Sequence, residues 1–262
     1  MKQRVISAVI ALLIAIPLVL LGGIYFNLFA LIIGILGLKE ILKAKGNIPI
    51  YMEYISYILF CLFMIVGIVS LNDGFSLNLD MVLLSFLLLF LPLIMYNDSK
   101  KYSIEDAFYL LSSLLFLATS FNLLVLVRSM SLYLFIYLFL ITIITDTFAY
   151  IGGSKFGKNK LAPMISPDKS VEGFVIGLVF GSLIASLFYY FVIGNINYVL
   201  LFLLTIILSI VGQFGDLVFS AIKRHFKVKD FSNIMPGHGG ILDRLDSIIF
   251  VLITFIILIR YF

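Results

Sequence analysis

The sequence predicts an all-α fold, a polytopic bundle of transmembrane helices, and three observations predict it. Apolar residues make up 63% of the 262 residues and charged residues only 12%, about half the charged share of a soluble domain. The apolar residues fall in long runs rather than in the alternating pattern of an outer-membrane barrel. The basic residues are sorted between the connections, as the positive-inside rule requires. Helices are the natural spanning element here, since open strands would leave amides unpaired in lipid.

Nine apolar stretches follow in order: Val5–Leu21, Tyr25–Leu42, Ile50–Leu71, Met81–Tyr96, Ile104–Phe121, Ser131–Ile151, Val171–Ile193, Asn197–Ile222 and Ile241–Phe262. A span needs about 20 residues, so the fourth and fifth are short. The first has a basic start but no small-residue cleavage site, and Gly22-Gly23 reads as a turn after it. With the N-terminus in the cytoplasm and nine spans, sixteen of the eighteen basic residues fall on the cytoplasmic side. Only Arg128 and Arg260 fall on the other. A miscount by one span would scatter these charges, so the expected topology is N-in, C-out, with the active site at the cytoplasmic face. Cys61 has no partner for a disulfide and reads as a small apolar side chain. The charges around Asp98, Lys100, Lys101, Glu105 and Asp106 read as a solvated loop. The net charge of +4 follows from this sorting and calls for no nucleic-acid partner. We expect residues 1–262 to form one integral membrane domain, with little chemistry in 1–128 and the site in 129–262.

Chemistry-bearing residues first appear at the end of the sixth stretch. Asp146 is the only acid in that run, and an ionisable side chain inside a span costs roughly 2.5–3.5 kcal/mol on insertion scales. It should therefore face protein or water. The loop that follows interleaves Gly152, Gly153 and Gly157 with Lys155 and Lys158, a pattern that lets backbone amides approach an anion. It lacks the Gly-Lys-Ser/Thr order of a nucleotide-binding P-loop. Ser166-Pro167-Asp168-Lys169-Ser170-Val171-Glu172-Gly173 leads into the seventh stretch. There Ser170 and Glu172 suit either a helix cap or a substrate contact.

The densest stretch runs from Gly212 to Asp246. Asp216, Ser220 and Lys223 are spaced to share one helix face. Arg224, His225, Lys227, Lys229 and Asp230 follow, then a turn at Pro236-Gly237-His238-Gly239-Gly240, then Asp243, Arg244 and Asp246 at the start of the last helix. Asp243 and Asp246 are three residues apart and so face the same way. Acids, bases and glycines meeting at a helix start suit a metal-bound polyphosphate. Three carboxylates, Asp216, Asp243 and Asp246, are the metal candidates. Oxygen ligands of this kind suit Mg²⁺ held together with substrate phosphates. With one cysteine and two histidines, zinc is a poor fit.

These residues carry a resemblance. Ser220, Ile222, Lys223, Arg224, Lys229, Asp230, Ser232, Pro236, His238, Gly239, Gly240, Asp243, Arg244 and Asp246 stand where the phosphatidate cytidylyltransferases, or CDP-diacylglycerol synthases, carry their fingerprint. Met235 replaces that family's usual Leu, Ile or Phe. Asp146, Ala149, Tyr150 and Gly153 resemble a second segment of the family. Ser166, Pro167, Lys169, Glu172 and Gly173 resemble a third, with Ser170 for Thr. The resemblance covers about residues 145–246. It implies the reaction CTP + phosphatidate → CDP-diacylglycerol + diphosphate in phospholipid biosynthesis. It assigns Asp216 and Asp243 as metal ligands, and Ser220 and Lys223 as phosphate or substrate contacts. Catalytic roles are expected for Asp216, Ser220, Lys223, Arg224, Asp243 and Asp246. Phosphate or substrate contacts are expected for Asp146, Lys169, Ser170, Glu172, Lys229, His238, Gly239, Gly240 and Arg244. The implied cofactor is Mg²⁺, with a second, monovalent cation left open. The implied partners are CTP, phosphatidate, the bilayer and a second copy of the chain, and the expected location is a bacterial cytoplasmic membrane.

Two other readings stand beside this one. A CTP-dependent kinase of polyprenol type would release CDP rather than diphosphate. A transporter of anionic solutes would need interrupted helices and charges near the bilayer midplane, whereas the polar residues here gather at one face. The Asp-Gly-x-x-Ala-Arg run of the CDP-alcohol phosphotransferases is absent.

Overall fold

A computed structural model describes residues 2–70, 78–95, 101–194, 197–237 and 239–259. These residues form ten helices and one two-stranded sheet. The helices are α1 (Lys2–Leu21), α2 (Gly23–Lys45), α3 (Ile50–Val69), α4 (Leu79–Phe90), α5 (Pro92–Met95), α6 (Ile104–Met130), α7 (Leu132–Phe156), α8 (Val171–Val192), α9 (Tyr198–His225) and α10 (Leu242–Ile259). Strands β1 (Lys160–Ala162) and β2 (Ser166–Ser170) lie between α7 and α8.

Six helices, α2, α3 and α6 to α9, are long and apolar enough to cross a membrane. Three of the nine expected spans fall short. In α1 the apolar part covers Ile6–Leu21 among the described residues. The fourth stretch breaks into α4 and α5 at Leu91, which keeps helical geometry (φ −54°, ψ −38°), because Pro92 has no backbone N–H to continue the helical hydrogen bonds. The start of α10 carries Asp243, Arg244 and Asp246. The fifth stretch behaves in the opposite way, and α6 runs on from Phe121 to Met130. Its polar side chains find partners: Asn122 donates to the carbonyls of Phe63 and Ala118 at 3.3 and 3.0 Å. Arg128 donates to those of Val19 and Leu20 at 2.6 and 3.1 Å.

The chain divides into two compact units. The first comprises Met1–Ser129 together with Asp230–Asp243, and the second Met130–Lys229 together with Arg244–Phe262. The residues that carry the fingerprint are thus shared between units that sequence order alone would have cut near residue 128.

In the first unit, α1 and α2 are joined at Gly22 and Gly23, both at positive φ (65° and 53°), which glycine adopts without strain. Helix α6 opens with reciprocal bonds, Ser103 N to Asp106 Oδ2 (2.8 Å) and Asp106 N to Ser103 Oγ (3.1 Å). Asp106 also pairs with Lys45, so it is a cap and an ion pair rather than a solvated loop charge. Burial pushes the Tyr102 phenol up from its ordinary value, consistent with its bond to the Leu89 carbonyl at 2.8 Å.

In the second unit, α7 and α8 pack antiparallel at close range. Gly173, Gly177 and Gly181 of α8 recur every four residues. A Cβ on Gly177 would lie 2.6 Å from the Thr145 carbonyl oxygen, and one on Gly173 would lie 2.6 Å from that of Ala149. Lipid tails give no hydrophobic drive between helices, so small residues that admit close backbone contact take its place. Polar pairs add to it: Tyr137 with Thr205 (2.7 Å), Thr145 with Ser209 (2.9 Å), and Gln213 Nε2 donating to the Phe174 carbonyl (3.3 Å).

The β1–β2 hairpin was not expected. It pairs Lys160 with Ser170 and Ala162 with Ser166. Pro167 favours extended backbone at Ser166, and outside the hydrocarbon layer a strand edge can be hydrated. Its return strand delivers Lys169 and Ser170 to the start of α8.

Candidate active site

The second unit brings together Asp146 of α7, Asp216 and Lys223 of α9, Asp246 of α10 and Lys169 of β2. Two glycines of α9 set the spacing. A Cβ on Gly212 would meet the Val251 side chain at 3.0 Å, and one on Gly215 would meet the Asp246 carbonyl oxygen at 3.0 Å. Helix α10 therefore lies directly against the turn of α9 that carries Asp216. Asp216, Asp146 and Asp246 are close enough to repel one another. Lys169, from β2, pairs with Asp216 at 2.6 Å and also attracts Asp146. Lys223, buried one turn past Ser220, attracts Asp246. Ser220 Oγ donates to Asp216 Oδ1 at 3.4 Å. The helical face expected for Asp216, Ser220 and Lys223 is thus present, and Asp146, an exposed residue of α7, lies within electrostatic reach of Asp216 and Lys169. Asp146 also lines a small polar cleft with Thr142, Thr145, Ser209, Gln213 and Ser247.

The acids offer hard oxygen donors only, the chemistry a divalent cation such as Mg²⁺ selects. Among the described residues no three His, Cys, Asp or Glu side chains are already drawn together at metal-binding distance. Lys169 instead occupies Asp216, an arrangement that like charges adopt when a lysine is the nearest cation.

Other sequence-predicted residues tie the chain to itself. Ser170 caps α8, accepting from Gly173 N at 3.1 Å. Glu172 accepts from Lys158 N (3.1 Å) and from Asn159 N and Nδ2 (3.2 and 2.8 Å). Arg224 donates to the Ile165 carbonyl at 3.3 Å and to that of Val228 at 3.2 Å, fastening the hairpin to the end of α9. Lys229 and Arg244 are exposed. His238 lies outside the described residues, as do Asp98, Lys100 and Arg260.

The Gly-Gly turn belongs to the first unit, and there the structure departs from expectation. Gly239 N bonds to the Met235 carbonyl at 3.1 Å, closing the turn. Gly240 N donates to Asp243 Oδ2 at 2.8 Å, and Phe231 N donates to the same oxygen at 3.0 Å. The next two amides, Ile241 N and Leu242 N, donate to Glu40 Oε1 and Oε2 at 2.8 and 2.9 Å. Glycines and a helix start do admit anions here, but the anions are protein carboxylates. A phosphate would find these amides taken.

Comparison with known proteins places the chain. The cytidylyltransferase family matches it over residues 2–262. The chain belongs to that family. It is 41% identical over 256 residues to a protein named phosphatidate cytidylyltransferase from Staphylococcus haemolyticus (strain JCSC1435). It is 40% identical over 254 residues to the protein of that name from Staphylococcus saprophyticus subsp. saprophyticus. For that of Staphylococcus aureus (strain COL) the identity is 38% over 260 residues. In each case the match covers 96% of both chains.

Glu40 is the residue that sequence reading passed over. It sits between Lys39 and Lys43 at the end of the second span, where basic neighbours mask a lone acid. The available signal was an acid in an apolar helix, the same signal that drew attention to Asp146. Ser247 was missed too, because a lone serine beside Asp246 has no pattern of its own.

Proposed function

We propose that this chain makes CDP-diacylglycerol and diphosphate from CTP and phosphatidate at the cytoplasmic face of a bacterial membrane. The observation that carries this reading is end-to-end similarity to proteins named for that activity. The site chemistry agrees with it. The lipid phosphate is already anionic and needs no strong base to attack the α-phosphorus of CTP, from which diphosphate leaves.

Asp216 and Asp246 would hold a divalent cation, and Asp243 keeps the ligand role that the family resemblance assigns it. When bound, that cation offsets negative charge on the triphosphate. Lys223, buried beside Asp246, would hold a phosphate oxygen against the repulsion of the acids. Lys169 would exchange its pairing with Asp216 for the departing diphosphate. Ser220 would orient Asp216. A nine-span topology would be reached by adding α1, the α4–α5 pair and α10 to the six long helices. An N-in orientation puts Asp216 and Lys223 on the side where CTP is found.

The test is an assay of the purified protein in detergent with CTP, Mg²⁺ and phosphatidate. Diphosphate release that requires both lipid and metal, together with a CDP-lipid product, is the expected result. Release of CDP and a phosphorylated lipid alcohol would replace this reading with the kinase one.

A further inference from the structure

We infer that Glu40 is a positioning residue for this reaction: from α2 it holds the turn before α10 closed and so fixes the carboxylate of Asp243. The inference rests on the reaction proposed above. Glu40 is only 2% exposed. It accepts three hydrogen bonds from a segment about 200 residues away: Ser232 Oγ at 2.5 Å, Ile241 N at 2.8 Å and Leu242 N at 2.9 Å. Asp243 takes the remaining amides of the same segment, Phe231 N and Gly240 N. Two carboxylates thus share four backbone amides, and the order of donors along the chain interlocks them. Gly240 bonds to Asp243, and the next two residues bond to Glu40.

The packing explains the glycine. A Cβ on Gly240 would lie 2.6 Å from both Glu40 oxygens, so no side chain fits while Glu40 is in place. A buried carboxylate with three donors is well satisfied. The hydrogen bonds are charge-assisted, and two of them fall on the exposed-amide end of a helix, where negative charge is favoured. If Glu40 is removed, two amides at the start of α10 lose their acceptors. Asp243 is then the nearest carboxylate able to answer them, and its orientation is no longer set. Outer partners of this kind fix the direction of a metal-ligating carboxylate, and their loss typically costs ~10–100-fold in metal affinity or activity.

The experiment compares the full-length parent with Glu40→Gln and Ser232→Ala in detergent. Three quantities are read: kcat, the Mg²⁺ concentration at half-maximal rate, and amide hydrogen exchange of the peptide holding Ile241 and Leu242 without substrates. Glu40→Gln is expected to lower kcat and raise the Mg²⁺ midpoint, each by ~10-fold or more, with faster exchange at those amides. Ser232→Ala, which removes one donor and leaves both amide bonds, is expected to shift the Mg²⁺ midpoint in the same direction by ~3-fold. A merely structural role would lower the yield of active enzyme and leave the Mg²⁺ midpoint where it was. A parent-like midpoint in Glu40→Gln, or unchanged exchange, overturns the inference. Should Glu40→Gln fail to fold, an unchanged midpoint in Ser232→Ala overturns it as well. If the parent makes no CDP-lipid, the proposed reaction fails. The exchange measurement then still decides whether Glu40 holds the turn.

Discussion

Gly240→Ala separates two uses of the Gly-Gly turn. If Gly240 serves a phosphate, the substitution should weaken CTP binding and leave the free protein unchanged. If it makes room for Glu40, the damage is already present without substrate. Gly240 is not among the glycines at positive φ, so alanine tests space rather than backbone conformation. The new Cβ would sit 2.6 Å from each Glu40 oxygen and 2.7 Å from its Cδ. Ordinary contact begins near 3.4 Å, so the carboxylate must withdraw by about 0.8 Å, roughly a van der Waals adjustment in a packed interior. Its bonds to Ile241 N and Leu242 N, now 2.8 and 2.9 Å, would then lengthen past the hydrogen-bonding range. Bonds to a charged group contribute about 1.5–3 kcal/mol each. Weakening both predicts a loss of about 3 kcal/mol, with some relief from local relaxation. The assay is thermal unfolding in detergent without nucleotide, alongside amide exchange over residues 239–243. A parent-like unfolding midpoint together with parent-like exchange would refute the packing argument. A raised KM for CTP in that same background would return Gly240 to phosphate binding.

Asp216→Asn and Asp246→Asn should each lower kcat by more than ~100-fold, since a cation worth several kcal/mol to the transition state loses a ligand. Membrane insertion and unfolding midpoint should hold, and near-parental turnover in either variant would remove that acid from the metal set. Lys169→Met should raise the KM for CTP by ~10-fold, the equivalent of one charge-assisted bond. Steady-state kinetics at fixed phosphatidate measures this, and an unaltered KM leaves Lys169 as a partner of Asp216 only. Gly177→Val should destabilise the α7–α8 pair by ~1–3 kcal/mol through overpacking. A Cβ there meets the Thr145 carbonyl oxygen at 2.6 Å and Ala149 Cβ at 2.8 Å, and an unchanged unfolding midpoint would contradict that close packing.

Hydropathy located the helices because burial in lipid is a property of composition, summed over about 20 residues. It placed the ends badly wherever a polar side chain had a distant partner. Asn122 looked like the end of the fifth span, yet its Nδ2 donates to the carbonyls of Phe63 and Ala118, and α6 continues past it. The close contact of α7 and α8 was legible in principle, as Gly173, Gly177 and Gly181 recur every four residues. The face shared by Asp216, Ser220 and Lys223 was legible because it depends only on helical periodicity. Glu40 was illegible as a partner of Leu242, because nothing in sequence order joins residues so far apart.

The acids divide by what surrounds them, and the division bears on function. Glu40 and Asp243 face backbone amides, which are directional and fixed in number, so Glu40 accepts three donors and Asp243 Oδ2 two. Three donors satisfy the Glu40 carboxylate, and backbone amides orient both acids. Asp146, Asp216 and Asp246 face one another and the ammonium groups of Lys169 and Lys223. Like charges at close range are costly, and Lys169 and Lys223 offset that cost. Under the proposed function, a site of this second kind would gain from a divalent cation and a polyphosphate arriving together: the cation would answer the acids, and the phosphates would answer the lysines. Helix α10 carries Asp243 at its start and Asp246 one turn on. The amide-held acid is therefore the one whose direction is fixed before substrate arrives, and the lysine-matched acids are the ones whose pairing must change when it does.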